Sequence, residues 1–333
     1  MINKEYVAAT LQAFEDILAA KGVPFEVRDD EETKIYREIW DECAERESVL
    51  KKIRPAIERI ASKEPFLFET EGEPLCIRLN YLNRKLERDS FGEILLERPD
   101  INWRFSISIK SDADVLSSMP VADRDYSRYG SGDVSVANEI DDFGDRIFGV
   151  PCSNEYFDDV NDVLMKIEPL DRETWRRLLA DEKFAQEKLI TPMLRAIGFE
   201  MPRIFKYHPE APQKLIDYFY GRIDYYFIKP IDELEITRIG AVNAHGGLGC
   251  MPANSNHTIP MVRLPNDLLD VRFATGKYGE ISNNTIQFSF DGGWAVCFRI
   301  VVEDDPKYGR EFKMRVYLPV TPFGSYRDQV AWD

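Results

Sequence analysis

The 333-residue chain has no run of about 18 or more apolar residues, which excludes a transmembrane helix from the expectations. Its first residues, Met1-Ile2-Asn3-Lys4-Glu5, carry an acid where a secretion signal needs bases and an apolar stretch, so export is not expected and a cytoplasmic setting fits. The five cysteines (Cys43, Cys76, Cys152, Cys250 and Cys297) are scattered without a CxxC or Cys/His spacing, which argues against a disulfide framework and a zinc site. Three histidines, His208, His245 and His257, are too few and too far apart to suggest a metal centre or a triad. No internal repeat or low-complexity tract is present, so solenoid and fibrous classes drop out. Basic residues are also short: 43 Lys and Arg stand against 59 Asp and Glu, a formal charge of −16. Taken alone, that balance argues against nucleic acid, because phosphate binding is driven by Lys and Arg.

What is present is a composition able to form a large core, 44% hydrophobic and 12% aromatic, at a length that suggests about two domains. The acid is unevenly placed. Residues 1–200 carry −15 and residues 201–333 only −1. Net charge sets solubility and the long-range field and does not decide whether a local cleft is positive. The densest basic cluster, Lys51, Lys52, Arg54 and Arg59, falls on a predicted helix, where it suits either DNA backbone or plain solvation.

Val7, Leu11, Phe14 and Leu18 stand at helical spacing over 4–21, with Gly22 as a stop. A second helix is predicted from a cap at Asp29/Asp30 to about Ser62, kinked or split at Pro55. Strands follow over Leu75–Leu82, Glu93–Arg98 and Trp103–Lys110, and helices from about Ala137 to Tyr220. After Asp224 the pattern is mostly β, with a turn at Asp291-Gly292-Gly293. The expected division is a helical segment over 1–70, an α/β core with helices over 71–220, and a β-rich portion over 221–333.

The hairpin around Pro99-Asp100-Ile101-Asn102 is the most chemically suggestive element. A turn centred there sets Glu97 opposite Arg104 and Glu93 nearly opposite Ser108. Strand alternation puts Phe105, Ile107 and Ile109 on a core face, with Ser106, Ser108, Lys110 and Asp112 on the other. Glu93 and Lys110 then meet at the open end. This is the pattern of nucleases written P-D…(D/E)-x-K, in which carboxylates hold Mg²⁺ and a lysine positions the attacking water. Asp100 supplies the literal Pro-Asp, but it sits in the turn, roughly 20 Å or more from Ser108 at about 3.3 Å per residue. Glu93 is the better ligand. Ser108 stands where a second acid would be, and a backbone carbonyl, a water or Asp112 is available in its place. The competing reading is a solvated hairpin face.

Downstream blocks add a resemblance. Ile140-Asp141-Asp142-Phe143-Gly144-Asp145-Arg146-Ile147-Phe148-Gly149-Val150-Pro151-Cys152-Ser153 with Tyr156, then Asp171–Leu178 with Trp175, Gly221-Arg222-Ile223-Asp224-Tyr225-Tyr226, Asn243-Ala244-His245-Gly246-Gly247-Leu248, Asp291-Gly292-Gly293-Trp294 with Phe298-Arg299-Ile300, and Phe312-Lys313 occur in order. In that order they resemble the HaeIII-like type II restriction endonuclease family over roughly 75–318; residues 1–70 are not clearly matched. The resemblance implies an α/β (α+β) restriction-endonuclease-like core with a helical N-terminal segment and a β-rich C-terminal portion. It further implies Mg²⁺-dependent cleavage of short palindromic double-stranded DNA, GGCC in the founding type. Ser108-Ile109-Lys110 fits a Ser-x-Lys at this strand end, and the acid of the preceding strand falls on Glu93. After Lys110 the chain departs from the family pattern, reading Ser111–Met119 where an Asn/His segment and a Lys-His-Ser-Arg-like run are expected.

The resulting assignment is Glu93, Ser108 and Lys110 as catalytic residues, with Glu93 and Asp112 as Mg²⁺ ligands. The near-neutral β-rich part offers Asn243, His245, Arg263, Arg299 and Lys313 for DNA, since Arg pairs with guanine and Asn with adenine. Cutting a palindrome implies a homodimer, and restriction implies a cognate DNA methyltransferase encoded nearby. The departure after Lys110 leaves an alternative: a sequence-specific DNA-binding protein of the same descent that no longer cuts.

Overall fold

The computed structural model describes residues 4–79, 92–109, 119–124, 155–167, 172–251, 254–276, 279–305, 309–318 and 322–332. In chain order the first elements are α1 (Lys4–Ala20), β1 (Phe25–Val27), α2 (Glu31–Glu42), α3 (Arg46–Ala61), β2 (Leu75–Leu79), β3 (Ile94–Arg98), β4 (Trp103–Ile109) and β5 (Met119–Arg124). Helices α4 (Glu155–Ile167), α5 (Arg172–Ala180), α6 (Glu182–Ala185), α7 (Thr191–Tyr207) and α8 (Ala211–Tyr220) follow. Then come β6 (Tyr225–Ile231), β7 (Ile236–Val242), β8 (Cys250–Met251), β9 (Asn254–His257), β10 (Leu268–Thr275), β11 (Ile281–Phe290), β12 (Ala295–Asp305), β13 (Gly309–Leu318) and β14 (Tyr326–Ala331). The protein is a mixed α/β structure with no described helix long and apolar enough to cross a membrane.

Two compact units divide the chain, one formed by residues 1–115, 220–263 and 322–333, the other by 116–219 and 264–321. Space therefore groups the chain differently from the linear division 1–70, 71–220 and 221–333. The N-terminal helices share a unit with the first strands, and the β-rich stretch is split between both units.

In the first unit a seven-stranded mixed sheet runs in the order β1-β2-β3-β4-β6-β7-β14. Strands β4 and β6 are parallel neighbours, which demands a long crossover. One sheet face packs on α1 and α3. Phe105, Ile107, Ile109, Tyr226 and Ile228 meet Val7, Leu11, Phe14, Ile53, Ile57 and Ile60 in a single apolar core. The predicted face of α1 is thus buried, and Gly22, at φ +68°, ends it. Helix α2 is capped as expected: the Asp30 carboxylate accepts from Thr33 N at 2.9 Å. The helix is not split at Pro55. Pro55 lies inside α3, and the helix stops instead at Cys43, before restarting at Arg46. Burial of Val49, Ile53, Ala56, Ile57 and Ile60 on the core side offsets the one backbone bond that proline forfeits.

The second unit has a five-stranded antiparallel sheet, β10-β11-β12-β13-β5. Ile286, Phe288, Val296, Phe298 and Ile300 are buried on one face. Phe205 of α7 meets Phe290 and Phe288 edge-on, with centroids 5.4 and 6.5 Å apart. Gly198 allows this approach, because a Cβ there would lie 2.8 Å from Ile286 Cδ1. The Asp291-Gly292-Gly293 turn forms where predicted, with the Asp291 carboxylate accepting from Asn266 N and Asp267 N.

Candidate active site

The β3–β4 hairpin sets the geometry of the site. Asn102 takes the left-handed conformation (φ +51°) that closes the turn. The register runs Arg98–Trp103, Glu97–Arg104, Leu96–Phe105, Leu95–Ser106 and Ile94–Ile107. The ladder ends at Ile94–Ile107, and Glu93, predicted to lie nearly opposite Ser108, sits in the bend just before β3. Gly92 brings the chain hard onto β4: a Cβ there would come within 2.5 Å of Ser106 Cβ and 2.6 Å of Ile107 N. Glu93 is 5% exposed, and its Oε2 accepts from Ile109 N at 2.7 Å. The carboxylate therefore ends at the last residue of β4, next to Ser108 and one residue short of Lys110.

At its two described positions the polar face is buried. Ser106 and Ser108 are buried, and neither hydroxyl has a partner among the described residues. Their neighbours on β6 are Tyr225 and Phe227. Burial pushes the Tyr225 phenol well above its ordinary range, and the negative charges of Asp224 and Glu93 push it further. A buried acid, two buried hydroxyls and a phenol thus share one end of three strands.

Asp224, just before β6, was not singled out as a site residue in the sequence. It is 1% exposed and binds a loop rather than solvent. Oδ1 accepts from Ala244 N (2.7 Å) and His245 N (3.0 Å), and Oδ2 from Gly247 N (2.7 Å). The His245 ring Nδ1 lies 3.3 Å from Oδ1. The signal was the pair of sequence blocks 221–226 and 243–248, which this carboxylate ties together.

Asn243 does not serve as a base reader. It is fully buried; its Nδ2 donates to Leu248 O (3.1 Å) and Ile259 O (3.0 Å), and its Oδ1 accepts from Leu248 N (3.1 Å). The amide is wholly committed to holding the loop. Three of the four α3 bases are similarly engaged: Lys52 pairs with Asp232 at 2.9 Å, Arg54 with Asp16, and Arg59 with Asp328 at 3.5 Å. Arg263 is exposed, as is Arg299 on β12, where Thr285 and Arg315 flank it in register. Lys313, on β13, pairs in register with Val301 of β12; its side chain lies outside the described residues, as do Lys110 and Asp112 entirely.

On the opposite face of the first sheet lies Glu64, a second acid that the sequence reading passed over. It is fully buried between α3 and the sheet; Oε1 accepts from Tyr226 Oη (2.6 Å) and Gly249 N (2.8 Å), and Oε2 has no partner among the described residues. Burial raises its pKa to about 8, so the neutral acid is the form that fits. Its sequence signal was a lone acid opening the apolar run Pro65-Phe66-Leu67-Phe68.

The sequence model of the HaeIII restriction endonuclease family matches residues 4–306, nearly the whole chain. The chain belongs to the HaeIII restriction endonuclease family. Type II site-specific deoxyribonucleases, hydrolases of DNA, make up that family, and the type II restriction enzyme HaeIII of Haemophilus aegyptius is a relative. It is 28% identical over 268 residues, spanning 77% of this chain and 74% of the relative. No solved structure matches. The HaeIII-family match begins in α1, so the N-terminal helices, which the sequence blocks left unmatched, are within it. It takes in Glu93, Ser108, Lys110, Asp112, Asn243, His245, Arg263 and Arg299, and ends before Lys313. Among the described residues no group of three His, Cys, Asp or Glu side chains is placed to hold a metal ion.

Proposed function

We propose that this HaeIII-family enzyme hydrolyses both strands of duplex DNA at a short palindromic site, GGCC-like, with Mg²⁺, at the shared end of β3 and β4. The fold reading behind this is a restriction-endonuclease-like core made of β2, β3, β4 and β6 with α3 behind them. The observation that carries it is the Glu93 carboxylate bound to the backbone of Ile109, between Ser108 and Lys110 in sequence.

Mg²⁺ fits the donors present. Glu93 is a hard oxygen ligand, and the buried Ser108 hydroxyl beside it lacks a partner among the described residues. Glu93 and Asp112 would hold the ion, with Ser108 lining the site. When bound, the metal supplies charge stabilisation at the phosphate and a water of lowered pKa. Lys110 orients that water and offsets developing negative charge. The Ile109 N–H fixes the Glu93 carboxylate in place, and the buried Tyr225 helps keep that end of the sheet dry.

DNA contacts are assigned to His245, Arg263, Arg299 and Lys313, with Asn243 reassigned to loop structure. His245, held by Asp224, stands on a loop of the same unit as Glu93. Cutting both strands of a palindrome calls for two copies of the chain related by a two-fold axis. A cytoplasmic enzyme of this kind is paired with a DNA methyltransferase encoded nearby.

A plasmid digest in Mg²⁺ and in EDTA tests this reading. Defined fragments in Mg²⁺, lost in EDTA and reduced about 10²–10⁴-fold by Lys110→Ala, are the expected result. Tight, metal-independent binding without cutting would replace the nuclease with a protein that only binds DNA.

A further inference from the structure

Strand β10 forms one end of the five-stranded sheet, and no described strand pairs with its outer side. Leu269 is 67% exposed and Phe273 40%, and Ile281, at the start of the strand hairpinned to it, is 74% exposed. A bulge between Leu268 and Asp270 leaves Leu269 out of the ladder to β11, so its own sheet makes no use of that side chain. Natural edges are usually blunted by lysine, proline, other charges, bulges or a covering segment. The stretch Leu268-Leu269-Asp270-Val271-Arg272-Phe273 has neither lysine nor proline.

The order of residues along this edge is self-complementary. A two-fold axis through Val271 would lay β10 antiparallel on a second copy of itself. In that register Asp270 faces the second copy's Arg272, and Arg272 the second copy's Asp270. Leu269 faces Phe273, and Phe273 faces Leu269. Asp270 and Arg272 are directed to the solvent side, 51% and 60% exposed, and are only loosely paired within the strand at 3.6 Å. Both apolar and charged positions therefore match under one symmetry operation. A foreign partner would have no reason to require that match, whereas an isologous contact does.

We infer that β10 is a homodimer contact, joining the five-stranded sheets of two copies edge to edge about Val271. The inference gives a surface to the two-copy enzyme proposed above and rests on that reading. Backbone hydrogen bonds fix the pairing, and the crossed Asp270–Arg272 pairs set its register. One strand edge buries less than the roughly 1,200 Å² of a tight interface, so association through it alone is concentration-dependent.

The test measures association without DNA or metal, so its outcome is independent of whether the chain cuts. Sedimentation velocity is run on the full chain, on Asp270→Arg, on Arg272→Asp, and on an equimolar mixture of the two variants. Each single variant puts four like charges together across the axis, and dimerisation should weaken about tenfold or more. The mixture sets a copy with arginine at both positions against a copy with aspartate at both, and should restore association to near the native level as a heterodimer. Both substitutions are on exposed side chains, and thermal melts like the native protein's confirm folding. A native chain that stays monomeric at every concentration would overturn the inference. So would single variants that dimerise normally, or a mixture that fails to recover.

Discussion

In the seven-stranded sheet Ser106 and Ser108 are shut away from solvent without a partner for either hydroxyl among the described residues, while in the five-stranded sheet Arg299 stands exposed above an apolar second face. The first arrangement is costly to stability, since an unpaired buried polar group forfeits its hydration. The second costs almost nothing. Strained polar burial is a property of reacting sites, where fixed dipoles and oxygen donors act more strongly in the absence of water. Exposed arginines suit reversible contact with phosphate or base edges. The contrast matches the proposed function, which puts cutting in the first unit and part of the DNA contact in the second.

The strongest way to press on the contrast is pH. Glu64 has its folded pKa raised to about 8 against an ordinary 4.5. Between those values the native state holds a proton that the unfolded chain has lost, so stability falls as pH rises through that window. Its contribution is full below about 4.5 and gone above about 8. The size is on the order of a few kcal/mol for a fully buried group. Glu64→Gln keeps an acceptor for Tyr226 and Gly249 and should flatten the slope, as read by urea midpoints from about pH 5 to 8. An unchanged slope would place the titration elsewhere.

Asn243 and Arg299 sharpen it further. Asn243→Ala removes the side-chain partner of Leu248 N and Ile259 O and one of the two contacts to Leu248 O, and should cost roughly 2–3 kcal/mol in the urea midpoint. Arg299→Ala should leave stability within about 0.5 kcal/mol. It should instead weaken DNA binding and, if it contacts phosphate, lower the salt slope by about 1 in a fluorescence titration. A reversal, with Arg299 stabilising and Asn243 reading DNA, would break the comparison.

Much of this was legible in the residues. The hairpin register followed from the turn at Pro99–Asn102 because strand side chains alternate strictly, so Glu97 falls opposite Arg104; the Glu93 carboxylate is placed by its bond from Ile109 N rather than by the ladder. The Asp30 cap and the α1 face followed from local chemistry. What failed depended on tertiary partners. Pro55 stayed inside α3 because its neighbours are buried. Asn243 looked like a base reader by composition, and only folding brings Leu248 and Ile259 to its amide. The roles of Glu64 and Asp224 come from loops 20 to 185 positions away, which no local pattern encodes. The short edge strands β1, β5 and β14 were not predicted, since a few alternating residues resemble loop until a neighbouring strand pairs with them.

The central claim is that Glu93 is the acid on which cleavage depends. The direct measurement is plasmid cleavage in Mg²⁺ by the native chain and by Glu93→Gln, with a thermal melt and a DNA-binding titration on both. Glutamine still accepts from Ile109 N but carries no charge for a metal. A folded, DNA-binding variant that leaves the plasmid intact is the expected result. Cleavage by Glu93→Gln at the native rate would contradict it.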